Sequence, residues 1–245
     1  MKKYAMLYPP LVERIIAEEA GAKDPIKSAK TRLHQLYGAY VYGNTHKKAV
    51  TFLDTNDITP ILSLHASTRE RLPTLTEFYQ FIIDNTSNIE TIMDLGCGFN
   101  PFSISLMPSV LRENLKSYYA YDIDMRTRDI LNRFFEGLNL PPTANCADLA
   151  VETPREKVDL ALICKLLPVL ESQCYGRGFQ LAREINTRFL VITYPLKSLS
   201  GREKGMGRHY AASFEKAIAD GLLGNYTLIS EARIGNELVY ILALI

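Results

Sequence analysis

Apolar positions recur at helical spacing through the first 85 residues and in short unbroken runs through the rest of the chain. In "LVERIIAEEA" (11–20), Leu11, Val12, Ile15 and Ile16 fall on one face of a predicted helix. "SAKTRLHQLYGAYV" (28–41) repeats the pattern through Leu33, Leu36, Tyr37 and Tyr40. "STRE" (67–70) has the form of a capping box, in which Ser67 and Glu70 would satisfy each other's backbone donors. Pro73 interrupts a helix begun there, so a new helix is expected from Pro73, burying Leu75, Phe78, Tyr79 and Ile82. After "DNTSN" (84–88) the rhythm changes. "IETIMDLG", "YYAYDID", "VDLALIC" and "RFLVITYP" are apolar runs separated by helix-length segments, and "YTLIS" and "LVYILALI" follow near the end. Such alternation predicts parallel strands buried on both faces by helices. The expected organisation is a helical N-terminal domain, residues 1–85, followed by a doubly wound α/β domain, residues 86–245.

The turn after the first strand, "MDLGCGFNPF" (93–102), is the centre of the candidate chemistry. Gly96 and Gly98 fit a dinucleotide fingerprint, but its third glycine is replaced by Pro101, which supplies no amide donor for a pyrophosphate. Asp94 precedes the turn, where a carboxylate opposes phosphate and suits a cation. S-adenosylmethionine, a phosphate-free sulfonium, meets these conditions, and the glycines let backbone approach it closely. Asp122, in "YDID", stands where an acidic side chain accepts from both ribose hydroxyls. Asp148, in "CADLA", is placed to accept from the adenine amino group. Each lone aspartate would otherwise read as a turn or cap residue; their joint spacing favours cofactor binding.

Charge and cysteine content narrow the picture only slightly. The net charge is +1, yet residues 1–80 carry 11 basic against 8 acidic residues, and "KSLSGREKGMGR" (197–208) concentrates Lys197, Arg202, Lys204 and Arg208. Two basic regions suit a polyanion, as would any solvated face. Cys97, Cys146, Cys164 and Cys174 form no C-x-x-C pair, and buried free thiols in a reducing compartment are expected rather than zinc ligands. No run reaches the length of a membrane helix and the N-terminus lacks a signal-peptide core. A cytoplasmic location is expected, with no demand for a dimer and so a monomer.

Five blocks, "SLHASTRERL" (63–72), "MDLGCGFNP" (93–101), "ICKLLPVLE" (163–171), "YPLKSLSGREKGM" (194–206) and "IGNELVYI" (234–241), resemble the 16S ribosomal RNA guanine-N7 methyltransferases of the aminoglycoside-resistance group. The likeness is collinear from "KKYAMLYP" to the final strand. It implies a class I S-adenosylmethionine-dependent methyltransferase domain, Rossmann-like, with a helical N-terminal domain that docks on the assembled 30S subunit. The target it implies is guanine 1405 of the decoding region, whose methylation would block 4,6-disubstituted deoxystreptamine aminoglycosides. Carried over by resemblance, cofactor contacts fall on Arg69, Gly96, Asp122, Asp148 and Leu149. Lys165, Glu171, Arg202, Met206 and Glu237 match positions the family uses for activity or RNA engagement. Two departures stand out. The chain begins later than some relatives, which would reduce the docking surface, and Gly207 replaces an acidic residue that many relatives carry after "GM".

The chemistry so implied needs no general base. Guanine N7 already presents a lone pair, and "CKLLP" stands where amino-methylating enzymes of this fold commonly place an Asn/Asp-Pro-Pro-aromatic motif. The deep major groove of A-form RNA hides N7, so the base must be extruded or the RNA already distorted. Tyr194 is placed either to stack on such a base or to fill the core at a strand end. Lys165, following an apolar run, is expected to point into the cleft, with a solvated charge as the plainer alternative. His65 is expected to serve a helix terminus rather than as a base.

Overall fold

The computed structural model describes residues 4–38, 40–41, 43–55, 57–197 and 206–245. Among them, seven strands form one sheet: β1 (Thr91–Leu95), β2 (Ser117–Asp122), β3 (Ala144–Cys146), β4 (Val158–Cys164), β5 (Thr187–Pro195), β6 (Tyr226–Ile234) and β7 (Glu237–Leu244). Their order is β3-β2-β1-β4-β5-β7-β6. β7 runs antiparallel to β5 and β6, and the remaining pairs are parallel. The order reverses at β1, which lies between β2 and β4, and ligands of open α/β sheets bind outside the carboxyl ends of strands at such a point.

The apolar runs are continuous because both faces of the sheet are covered. Along β4, Leu160 and Leu162 enter one core while Ala161 and Ile163 enter the other. The first core receives α6 (Leu75–Asn85), α7 (Ser109–Arg112) and α8 (Met125–Gly137) through Phe78, Tyr79, Leu111, Ile130 and Phe135. The second receives α9 (Leu167–Gln173), α10 (Arg177–Glu184) and α11 (Met206–Ala219) through Leu170, Leu181 and Phe214.

Ahead of the sheet come α1 (Pro9–Glu18), α2 (Pro25–Leu33), a π-helical turn (His34–Gly38), α3 (Thr45–Asp54), α4 (Ile58–Ser63) and α5 (Ala66–Arg71). Ala49, Ile61 and Leu62 of α3 and α4 join the same core as Ile92 of β1 and Tyr118 of β2. α1 and α2 build a smaller cluster of their own from Leu11, Ile15, Ala29, Leu33 and Tyr37, which meets the α/β domain at Ile123. Three local expectations are corrected. Ile16 is 45% exposed rather than on the buried face of α1. Leu11 and Ile15 are fully buried in the contact with α2 and Val12 packs at its edge, while Ile16 is rotated past it. The capping box does not form: α5 has no side-chain cap, Thr68 bonds back to the carbonyls of Leu62 and His65, and Glu70 is drawn to Lys165. Pro73 lies in a 3-10 turn (Leu72–Thr74), so α6 starts at Leu75, with Leu75, Phe78, Tyr79 and Ile82 buried as expected.

One buried ion pair ties α5 to the far hairpin of the sheet. The Arg71 guanidinium donates from Nε to Glu237 Oε1 at 3.0 Å and from Nη2 to Oε2 at 2.8 Å, and from Nη1 to Asn100 Oδ1 at 2.9 Å. Both side chains are at most 4% exposed. Removing one partner of such a pair strands the other charge in a low-dielectric interior. Arg71→Met is therefore expected to lower unfolding free energy by about 3–5 kcal/mol, read from the midpoint of urea denaturation.

Candidate active site

A cleft enclosing about 900 Å³, including its open mouth, lies at the carboxyl ends of β1, β2, β3 and β4. Its floor is the turn after β1. Gly96 and Gly98 have φ of 65° and 51°, in the left-handed region that favours glycine. A β-carbon on Gly98 would sit 2.7 Å from Cε1 of His65, and one on Gly96 would sit 2.9 Å from Cδ1 of Leu166. The glycines thus bring the backbone against the cleft wall where no side chain fits. The Gly98 N–H donates to Asp122 Oδ2 and the Asp124 N–H to Oδ1, both at 2.9 Å, so the Asp122 carboxylate is fixed at the end of β2. Burial, reinforced by the nearby Asp124 charge and only partly offset by these amides, pushes the Asp122 carboxyl up to about 6.

Asp94 does not reach the cleft. Its Oδ2 accepts from Asn100 Nδ2 and the Tyr118 hydroxyl, each at 2.8 Å, beneath the glycine turn. Burial outweighs these bonds and raises its carboxyl above the usual range. The expectation that Asp94 meets a cation directly is corrected accordingly: it organises the turn from below, through Asn100, because its side chain points into the core as the inward residue of β1.

The wall after β3 carries Asp148 and Leu149, both buried and both lining the cleft. The Asp148 carboxylate is gripped by Arg14 of α1, Nε to Oδ2 at 2.6 Å and Nη2 to Oδ1 at 3.0 Å. Leu11, Leu36, Tyr37 and Tyr40 from the N-terminal part of the chain also line the cleft. At the end of β4, Lys165 has φ of 57°, an uncommon conformation for a residue with a β-carbon. There its side chain is 7% exposed, with Nζ 2.7 Å from Glu70 Oε2 and 3.3 Å from Glu237 Oε1. Glu237 also accepts from Thr193 Oγ1 at 2.7 Å. Burial alone would raise the Glu237 carboxyl, but the charges of Arg71 and Lys165 hold it below the usual range. Lys165 is thus a cleft residue, as expected, rather than a solvated charge.

Several expected site residues lie elsewhere. Arg69 is exposed and outside the cleft lining; the neighbouring arginine on the inner face of α5 is Arg71. Glu171 caps α10, accepting from the Gly176 N–H at 2.7 Å and the Gly178 N–H at 2.8 Å, because helix N-termini leave amides unpaired. Tyr194 is 3% exposed, stacked on Tyr210 with centroids 5.1 Å apart and set edge-on to Phe214 and Tyr240, so it is a core residue and its ring has no free face for a base. Arg202 lies outside the described residues, and Met206 is the first residue of α11. At Gly207 a β-carbon would lie 2.6 Å from Leu196, so the acidic residue of many relatives would displace that leucine. Cys174 is exposed, against the expectation of buried thiols.

His65 precedes α5, stacked on Tyr40 at 5.9 Å and tilted on Phe99 at 5.6 Å, a structural place as expected. Burial lowers its pKa to about 4, so the ring is neutral near pH 7. Arg14 and Arg71 are residues that sequence reasoning missed. Arg14 interrupts the stripe defined by Leu11 and Ile15, and Arg71 extends the stripe of Leu75 and Phe78 back by one turn. A cation on an apolar stripe is the signal that could have found both.

The cleft suits S-adenosylmethionine on its own evidence: a close-approach glycine turn, a carboxylate at the end of β2, and a second carboxylate beside an apolar wall after β3. In the turn, Asp122 already occupies the Gly98 amide and the Tyr121 carbonyl the Cys97 amide, so neither is free for a pyrophosphate. Comparisons with known proteins agree. A family model described as ribosomal RNA methyltransferase (FmrO) matches residues 1–241. The chain belongs to this family. A curated relative from Serratia marcescens, named 16S rRNA (guanine(1405)-N(7))-methyltransferase, is 36% identical over 98% of this chain and 93% of its own length. The solved structure of the 16S rRNA methylase RmtB is 33% identical, with a TM-score of 0.84 over 100% of this chain and 94% of that one. That of RmtF in complex with S-adenosyl-L-homocysteine is 31% identical, with a TM-score of 0.85 over 99% and 93%. The fold is that of an S-adenosylmethionine-dependent class I methyltransferase carrying an N-terminal helical part.

Asp122 provides a test by pH. A carboxyl raised from 3.8 to about 6 favours its neutral form in the folded state, so folding takes up a proton between those values. Its contribution to stability therefore declines as pH rises through that window. Acceptance from ribose hydroxyls strengthens as the carboxylate forms. Calorimetric affinity for S-adenosylhomocysteine is expected to rise with pH up to a plateau above about 6, and Asp122→Asn is expected to bind weakly with that rise removed.

Proposed function

We propose that this rRNA methyltransferase transfers the methyl group of S-adenosylmethionine to N7 of guanine 1405 in 16S rRNA, and that it acts as a monomer on the assembled 30S subunit in the cytoplasm. Modification there protects the ribosome from 4,6-disubstituted deoxystreptamine aminoglycosides such as gentamicin and kanamycin. The observation that carries this reading is the end-to-end match to relatives of that name, 36% and 31% identical over 98% of this chain. Residues 1–85 form the docking part in this reading, with their basic excess facing rRNA phosphates. Among the described residues, no helix is long and apolar enough to cross a membrane.

The residues of the cleft support a reaction that moves no proton from the nucleophile. Bound in the cleft, the sulfonium donor supplies an electrophilic methyl group. Guanine N7 would attack through a lone pair that is already free; the methyl–sulfur bond breaks, its electron pair stays with sulfur to leave S-adenosylhomocysteine, and the methylated base keeps the positive charge. Catalysis then rests on alignment. Asp122 and Asp148 hold the nucleoside half, and the glycine turn sets how deeply the donor sits. Lys165, tied to Glu70 and Glu237, gives the mouth a fixed ammonium beside the incoming nucleotide. Neither His65, neutral and stacked, nor the paired carboxylates of Glu70 and Glu237 is required as a base. Arg202 and its neighbours are proposed to contact rRNA phosphates around the extruded guanine.

Transfer from tritiated S-adenosylmethionine is expected to label intact 30S subunits, leave naked 16S rRNA largely unlabelled, and fail on subunits already methylated at 1405. Borohydride and aniline cleavage with primer extension should place the new N7-methylguanine at that position. Equal label in premodified subunits would move the target to another nucleotide. Soluble expression without a rise in gentamicin tolerance would count against the protective role.

A further inference from the structure

The N-terminal segment is stapled to both loops that carry the nucleoside-facing carboxylates. Residues flanking β2 receive one staple: the Tyr8 N–H donates to the Ile123 carbonyl at 2.8 Å and the Met125 N–H to the Met6 carbonyl at 2.9 Å, so residues 6–8 pair beside the loop that follows Asp122. The loop after β3 receives the other, through Arg14. That guanidinium spends Nε and Nη2 on the two oxygens of Asp148, gives Nη2 also to Gln173 Oε1 at 3.0 Å, and gives Nη1 to Glu18 Oε1 at 2.9 Å. The Asp148 side chain is 2% exposed, and the Ala150 N–H approaches its Oδ1 at 3.3 Å.

We propose that Arg14 is a positioning residue for the methyl donor: by holding the two oxygens of Asp148 in one orientation, it makes α1 the element that selects adenine as the donor's base. This deepens the reading of the cleft as an S-adenosylmethionine site and rests on it. A carboxylate is acceptor-only and has about four lone-pair positions. Arg14 takes two and the Ala150 amide one, which leaves a single acceptor position on a residue that lines the cleft. Adenine presents an amino donor to such an acceptor, whereas hypoxanthine presents a carbonyl oxygen that the carboxylate repels. The fork geometry of guanidinium fixes both oxygens at once, which an ammonium cannot do. Without Arg14 the buried carboxyl group loses its counter-ion. It is then free to rotate, and the acceptor that turns away the hypoxanthine carbonyl is no longer held in one direction.

The test is calorimetric binding of S-adenosylhomocysteine and of its hypoxanthine counterpart, S-inosylhomocysteine, to the full-length wild type, Arg14→Met and Arg14→Lys. The wild type should prefer the adenine ligand strongly. Arg14→Met should narrow that preference by about tenfold or more, the factor expected when a hydrogen bond to a charged group is lost, chiefly by weakening the adenine ligand. Arg14→Lys should restore part of the preference, and should do so even if Arg14→Met folds poorly. Both ligands weakening by the same factor, with the preference intact, would overturn the proposal and leave Arg14 a merely structural tie. An unchanged preference in both variants would overturn it as well. Failure of the wild type to bind S-adenosylhomocysteine at all would instead overturn the cofactor reading of the cleft, and the wild-type titration alone tells these failures apart.

Discussion

The structure depends on neutralising Glu237 inside the protein. Its carboxylate lies at the start of β7, 3% exposed, and is met by Arg71 from α5, Lys165 from the end of β4 and Thr193 from β5. A buried charge is tolerated only when paired and fully hydrogen-bonded. Once that demand is met, the positions of α5, the β4 terminus and the β7 hairpin follow together. Through Asn100 the network continues to Asp94 and Tyr118 under the glycine turn. The glycine turn and Lys165, both lining the cleft, are therefore parts of one polar network, and each braces the other.

A second constraint comes from the N-terminal helices. They pack on the α/β domain and also supply one side of the cleft, through Leu11, Tyr37 and Tyr40, and a guanidinium to the carboxylate after β3. In the proposed function these same helices approach the ribosome. In that reading, docking on rRNA and grip on the methyl donor share a structural element.

Much of the α/β domain was legible in the amino-acid order. The strand runs are apolar because helices cover both faces, and β4 shows this residue by residue in Leu160, Ala161, Leu162 and Ile163. Gly96, Gly98, Asp122 and Asp148 could be read from spacing because backbone conformation and strand ends are local properties. Tyr194, Glu171 and Arg69 misled for a common reason: motif position says which loop or strand a residue occupies, but not which neighbours its side chain meets. Tyr194 found an aromatic stack, Glu171 found two free amides and Arg69 found solvent.

By itself the sequence determined the order of helices and strands, the glycine turn, the acidic residues at two strand ends and the family. These follow from hydrophobic period and from short-range backbone limits, which operate over a few residues. Only the tertiary structure decided that Arg14 grips Asp148, 134 positions away, and that Arg71 grips Glu237, 166 positions away. It also decided that Glu70 leaves its helix cap for Lys165. Such pairings are chosen by the cost of leaving a buried charge unmatched, and that cost exists only once the chain has closed around it.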